Sequence, residues 1–393
     1  MHSRRVVPLL LALLAPACSE DQSPTTPTSE SAELSQGALS FRQVSAGPFH
    51  SCGVTTDSLA YCWGDNSYGE LGDGTTDSRT RSVAVAGELR FLQVSAGGYF
   101  TCGLTTTNVA YCWGQNYFGQ LGNGTTAHHS VPAAVSGGLR FRSLGAGWHH
   151  ACGVTFSNQA FCWGTNRHGE LGDSSTVVQR STPMQVAGGK RFRQVAPGFR
   201  HTCGTTTTDR AFCWGDGSNG QIGDGRTTRR RLPRGVAGGH SFGQVSAGLY
   251  HSCGVTTDHR AFCWGHNFSG ELGDGTELDR LKPVAVAGGL QFGGLSTGSQ
   301  QTCGVTTGSL AYCWGANQVG ELGNGGTDGR SRPGAVVGGI HFTRLSSSLG
   351  EASSHTCAVT ADHRAYCWGY NGTGQLGDGS TTNRLTPTPV VGP

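Results

Sequence analysis

His50–Gly74 reads HSCGVTTDSLAYCWGDNSYGELGDG, and the string returns six more times before the C-terminus with its Cys, Trp and Gly residues in register. The first Cys of each copy falls at Cys52, Cys102, Cys152, Cys203, Cys253, Cys303 and Cys357, a spacing of 50 residues, 51 once and 54 before the last copy. A period in that range marks a propeller or a solenoid. Within a copy, Cys52 and Cys62 flank a polar tip, Thr56-Asp57-Ser58, and the flanking residues alternate as strand residues do, which predicts a β-hairpin. Folding it about Asp57 sets Cys52 opposite Cys62 and Val54 opposite Ala60 on one face. Directly opposed Cα atoms lie about 4.5–5.5 Å apart, within the reach of a disulfide. The same geometry pairs Cys102 with Cys112, Cys152 with Cys162, Cys203 with Cys213, Cys253 with Cys263, Cys303 with Cys313 and Cys357 with Cys367.

Each copy supplies four candidate strands, typified by Phe41–Ala46, His50–Thr55, Leu59–Trp63 and Ser82–Ala86. Glycine, 65 of 393 residues, is more than twice its average share of about 7%, as Gly-rich turns between short strands require. No amphipathic helical stretch interrupts them, so the class is all-β. An open stack needs polar caps, yet the first and last copies are as apolar as the middle ones, which predicts closure into a seven-bladed propeller of four-stranded antiparallel blades. Ser40–Ala46 and Thr388–Val391 are expected to complete one shared blade.

Before the repeats, Arg4 and Arg5 precede an apolar run, Val6–Ala15, too short to span a bilayer but suited to a secretory signal. Ala15-Pro16-Ala17 reads as a cleavage site, and Leu14-Ala15-Pro16-Ala17-Cys18 resembles a bacterial lipoprotein box. With fourteen of the 15 cysteines paired, Cys18 is left over, a liability in an oxidising compartment unless a lipid occupies it. The expected organisation is a signal peptide over 1–17, a lipidated Cys18 with a disordered tether to 37, and the propeller over 38–393. Lipidation is the membrane contact expected of such a cell-envelope protein. Losing the leader leaves Lys+Arg one above Asp+Glu, a near-neutral balance that argues against nucleic-acid binding.

The pattern G-x-x-H-[ST]-C-G-[VL]-T followed by A-[YF]-C-W-G-x-N-x-x-G-[EQ]-L-G-[DN]-G resembles the repeats of the regulator of chromosome condensation family over residues 38–393. Trp63, Trp113, Trp163, Trp214, Trp264, Trp314 and Trp368 each stand directly before Gly, unlike WD or kelch repeats. The resemblance implies a seven-bladed propeller whose members include a nuclear exchange factor, a plant photoreceptor and an exported bacterial inhibitor of β-lactamases, so it implies no single function. The photoreceptor's G-W-R-H segment is matched only in part, by Gly147-Trp148-His149-His150 and Gly198-Phe199-Arg200-His201, which takes a light-sensing tryptophan cluster out of contention. The nuclear protein's basic arm has no match.

Candidate chemistry is sparse. The Cys pairs lack the short hooks of zinc sites. His50, His150, His201, His251 and His355 share a register, but blades stand about 10 Å apart and one ion needs all its ligands within about 2 Å; they are expected to bond backbone at the turn. Asp73-Gly74-Thr75 and its equivalents supply at most one carboxylate per copy, with Asn123 and Asn324 in two of them, and read as turns, not calcium loops. Glu70, Glu170, Glu271 and Glu321 alternate with Gln and behave as framework. No nucleophile motif, metalloprotease motif or P-loop appears, so neither an enzyme nor a cofactor is expected.

Function is therefore sought in the variable positions. Strands alternate in direction, so the turn before the hairpin and the long loop after it emerge at one end, the top. That end should carry Phe49, Tyr99, Trp148, His149, Phe199, Arg200, Leu249, Tyr250 and Gln300, with Tyr68, Tyr117, Phe118, Arg167, His168 and Phe268 on the loops. Aromatic and Arg residues on turns are the usual anchors of protein interfaces. Arg226, Arg229, Arg230, Arg231 and Arg234 form a basic segment in the fourth copy, expected at the rim where it would steer an acidic surface. Ser346–Ser354, four residues longer than its equivalents, is expected to rise above the ring. The sequence thus points to a monomeric, exported binding propeller with a protein partner, a glycan ligand being the alternative and an exchange-factor-like or enzymatic role the weaker reading.

Overall fold

The computed structural model describes residues 39–350 and 354–393; the leader, Cys18 and the tether lie outside them. Twenty-eight strands form seven four-stranded antiparallel sheets, each from four consecutive strands. In blade 1 these are β1 (Phe41–Ala46), β2 (His50–Thr55), β3 (Ala60–Gly64) and β4 (Arg79–Ala84). The hairpin register is the expected one, with Cys52 opposite Cys62 and Val54 opposite Ala60. All seven hairpin disulfides are present, with Cα separations of 4.0–4.1 Å. That is narrower than the general antiparallel spacing.

Three expectations about the strands and turns need correction. The fourth strand starts at Arg79 rather than Ser82: the outer edge strand faces water, so its first residues are polar and carry no apolar alternation. No blade is shared. Blade 7 is completed by its own strand Arg384–Pro389, and the ring closes through contacts between whole blades, such as Phe41 N–H to His363 C=O at 2.7 Å and Ala46 N–H to Ser346 Oγ at 3.1 Å. The described part of the long turn in blade 7 does not rise above the ring: Ser347, Ser348, Leu349 and Ser354 are buried, and Leu349 helps line the axial channel. An apolar Leu and hydroxyls that find partners, such as Ser354 Oγ donating to Gly350 C=O, draw the segment inward. Residues 351–353 lie outside the description.

The core lies between blades. Cys52, Val54, Cys62 and Leu71 of blade 1 pack on Phe91, Val94 and Trp113 of blade 2, and the pattern recurs round the ring. The Trp of each third strand is fully buried and donates its indole N–H to the preceding blade, Trp113 to Glu70 C=O and Trp264 to Gln221 C=O, both at 2.9 Å. Gly72 serves this contact: its φ is +73°, and a Cβ there would stand 2.6 Å from Trp113 Nε1.

The histidines bolt blades together instead of bonding turn backbone. His50 Nε2 lies 2.8 Å from Thr101 Oγ1, and that hydroxyl donates to Glu70 C=O at 2.9 Å. His150, His201, His251 and His355 make the same contact with Thr202, Ser252, Thr302 and Ser51. Because the hydroxyl proton goes to the carbonyl, the histidine Nε2 must be the donor, which sets the neutral tautomer. Where blade 2 has Phe100 in place of His, blade 3 has Ala151 in place of the hydroxyl, and the two share an apolar cluster.

Candidate functional site

Six of the seven long loops are built by one device, an Asn that blade 4 replaces with Gly217. Asn66 is buried, accepts from Leu71 N–H at 2.9 Å and donates to Thr75 C=O and Asp77 C=O. Asp73 accepts from Thr75 N–H and Oγ1 and from Arg79, so its carboxylate is occupied by its own turn. Glu70 Oε2 accepts Tyr68 N–H at 2.7 Å, and Gln120 Oε1 accepts Phe118 N–H at 2.9 Å. One acceptor oxygen suffices, which explains why Glu and Gln alternate. Burial, with Asp65 beside it, lifts the Glu70 carboxyl to about 8, and burial lifts Glu170 to about 7.

Asp65 N–H donates to Phe49 C=O at 2.9 Å, so the pre-hairpin turn and the long loop do meet at one end. There the aromatic side chains of blades 1 to 5 form one connected series. Phe49 stacks on Tyr99 at 4.9 Å between ring centroids, Trp148 meets Phe199 edge-on at 5.2 Å, and Phe199 meets Tyr250 at 5.8 Å. Trp148 is the hub: it also lies 6.4 Å from both Tyr99 and Phe49, the latter two blades away. Gly98 of the blade 2 turn packs against the Trp148 backbone, where a Cβ would meet the Trp148 carbonyl oxygen at 2.3 Å. Tyr68 joins the series through Tyr99 and Tyr117, and Phe118 through His149.

Phe49, Tyr99, Trp148, His149, Phe199, Tyr250 and Gln300 are half-buried, and Arg200 is exposed. Gln300 stands on the same end in blade 6 but adds no ring, and Leu249 is buried. On this end Phe268 and Tyr117 are the most exposed rings, 76% and 56%. Two of the series' partners, His128 against Tyr117 and His266 against Tyr250, were missed by sequence reasoning because they occur outside the repeated histidine register.

Between blades 3 and 4 the platform folds into a cleft of about 370 Å³ lined by Phe118, Trp148, His149, Arg167, Glu170 and Arg200, among others. Arg200 lies over Phe199 at 4.6 Å and Arg167 over Phe118 at 5.5 Å, so both guanidiniums are held by ring faces. Burial, then Arg167 and Arg200, push His149 down to about 4, which keeps it neutral.

The five-arginine segment is not one surface. Arg230 pairs with Asp224 at 2.6 Å, as Arg79 does with Asp73 and Arg280 with Asp274, so it belongs to the loop framework. Arg231 is half-buried, its side chain against Gly169 of blade 3, and Arg234 is exposed near the far end of the edge strand, opposite Cys213. Arg226 and Arg229 remain exposed on the loop. The repeat register that explains Arg230 was legible in the sequence, since Arg79, Arg180, Arg280, Arg330 and Arg384 share it.

Residues 81–392 match the RCC1-like domain model, and 41–70 and 57–104 match the regulator of chromosome condensation (RCC1) repeat. The chain belongs to the RCC1 family. Among solved RCC1-like propellers, it is 22% identical to Prp20p from Saccharomyces cerevisiae over 87% of each chain, with a TM-score of 0.74. It is 19% identical to human WBSCR16 over 85% of this chain and 94% of that one, with a TM-score of 0.75. At such identities the RCC1 likeness carries the fold and leaves the surface chemistry to be read from this chain.

Proposed function

We propose that this RCC1-like chain is an exported, lipid-anchored interaction propeller that docks a protein partner on its top face. The observation that carries the reading is the unbroken ring series from Phe49 to Tyr250 with Trp148 at its hub, half-buried and bordered by Arg167 and Arg200. Aromatic and Arg anchors of that kind dominate the energetics of protein interfaces. Protein partners are also what Prp20p engages: its binding to Gsp1p and histones has been characterised, and it has been solved bound to Kap60. For this chain the partner is a different one, met in the cell envelope, and Arg200, Arg226 and Arg229 suit it to an acidic surface. Export and the anchor rest on Val6–Ala15 and Cys18.

Two experiments test this. Capture from envelope fractions with residues 38–393 as bait should retain a protein that Trp148→Ala bait fails to retain; equal retention by both baits removes the top face from the reading. Mass spectrometry of the mature N-terminus should find a diacylated Cys18, and an unmodified Cys18 removes the anchor. A glycan is the second reading, favoured by the exposure of Tyr117 and Phe268, whose faces could stack on sugar rings; a glycan-array hit lost with Trp148→Ala would select it.

A further inference from the structure

At the opposite end of the ring, adjacent blades are tied by a glutamine. In blade 1, Gln43 Nε2 donates to Val94 C=O at 2.7 Å, and Val94 N–H donates to Gln43 Oε1 at 3.0 Å, so one carboxamide clasps both polar groups of one residue in the next blade. Gln93 holds Leu144 in this way, Gln194 holds Val245, and Gln244 holds Leu295. These backbone groups are free for the clasp because their residues pair with the second strand without bonding to it: Val94 stands opposite Gly103 and points its N–H and C=O away. Leu345 of blade 7 has the same register, opposite Ala358.

Blade 6 has no side chain to give Leu345. Its first strand, Phe292–Thr297, places Gly294 where the other blades have their glutamine, and Gly293 where blades 1 and 3 have Arg42 and Arg142. Those arginines cross to the next blade as well, Arg42 to Phe91 C=O and Arg142 to Phe192 C=O. Of the two remaining blades without glutamine, blade 3 has Arg142 beside Ser143 to cross to the next blade, and blade 7 carries Arg344, which also lines the cleft described next. The result is a cleft of about 570 Å³ lined by Gly293, Gly294, Val305, Thr307, Phe342 and Leu345, among others. It opens beside the hairpin tip Thr307–Ser309, the end remote from the aromatic series.

We propose that this cleft is a binding site for a primary carboxamide, the side chain of a glutamine presented by another polypeptide. The complementary group is defined four times in the same molecule, by the donor and acceptor that hold Gln43, Gln93, Gln194 and Gln244. A glutamine entering from outside would give its N–H to Leu345 C=O and accept from Leu345 N–H, with its methylenes against Phe342 and Val305. The site is independent of the top face and adds a second contact surface to the propeller.

The probe is N-acetyl-glutamine N-methylamide, titrated into the isotope-labelled propeller and followed by amide resonances. Saturable shifts centred on Leu345 are expected, and their absence overturns the proposal. Dimethylating the side-chain amide removes both donors while leaving the probe neutral, and should weaken binding about fivefold or more; equal binding of the two probes also overturns it. In Gly294→Gln the chain supplies its own carboxamide. The new Cβ would meet only the end of Gln244, at 3.1 Å from the Oε1 that accepts from Leu295 N–H, so that clasp has to shift by a few tenths of an ångström. That variant should fold and lose the response at Leu345, and an undiminished response in the folded variant refutes the assignment. Should Gly294→Gln not fold, the pair of probes on the unaltered protein decides alone.

Discussion

His201→Gln should make the propeller less sensitive to acid. His201 is fully buried, donates from Nε2 to Ser252 Oγ at 2.8 Å, and has no partner for Nδ1. A proton on Nδ1 would be buried without an acceptor, and burial depresses the group from 6.5 to about 4. Because the folded value lies below the unfolded one, the unfolded chain takes up the proton first. The contribution to stability is complete above the unfolded value near 6.5 and falls as pH drops toward 4. Between pH 7 and pH 5 the loss is about 2 kcal/mol for this one side chain. Glutamine is a tolerated replacement, since Gln301 occupies the register in blade 6, fully buried. Burial raises Glu70 and Glu170, whose protonation stabilises the fold on acidification, but that effect is common to both proteins and cancels in their difference. Urea unfolding of the disulfide-intact proteins at pH 7 and pH 5 should show the variant losing about 2 kcal/mol less than its parent. A difference under about 0.5 kcal/mol would refute the claim that the bolt histidine is held neutral.

Phe100→His alone and Ala151→Thr alone should each destabilise blade 2 against blade 3, one by burying an unpaired imidazole and the other by overpacking. Together they restore the bolt used elsewhere, and a double-mutant cycle should show coupling of about 1 kcal/mol or more; additive losses would deny the pairing. Gly72→Ala should cost more than about 2 kcal/mol, because it combines a strained φ with a collision against Trp113, and an unchanged unfolding midpoint would contradict this. Replacing Cys253 and Cys263 together by Ser should lower stability by about 3 kcal/mol with the fold retained, as judged by circular dichroism and urea unfolding.

The fold was legible because its determinants are local and repeated: a hairpin tip every 50 residues or so, cysteines ten apart, and glycines where φ is positive. What the sequence concealed lies between copies. The partner of His50 is Thr101, 51 positions away, and only the ring brings them together. Comparing copies would have found it, since Phe100 and Ala151 depart from the pattern in adjacent copies. Strand parity brought the pre-hairpin turn and the long loop to one end, yet parity could not tell that Trp148 reaches across blade 2 to Phe49. The arginine segment misled because nearness in sequence was taken for a shared surface. A strand that alternates sides and a register that commits Arg230 to Asp224 separate those side chains.

The central claim is that the Trp148 platform is the docking surface. Its most direct test is the dissociation rate of the captured envelope partner from the intact propeller and from Trp148→Ala, measured by surface-immobilised binding kinetics. Loss of a hub anchor should speed dissociation about tenfold or more and leave association nearly unchanged. An unchanged dissociation rate, with binding weakened instead by substitutions at the opposite tips such as His259→Ala, would place the partner on the other end of the ring and contradict the account.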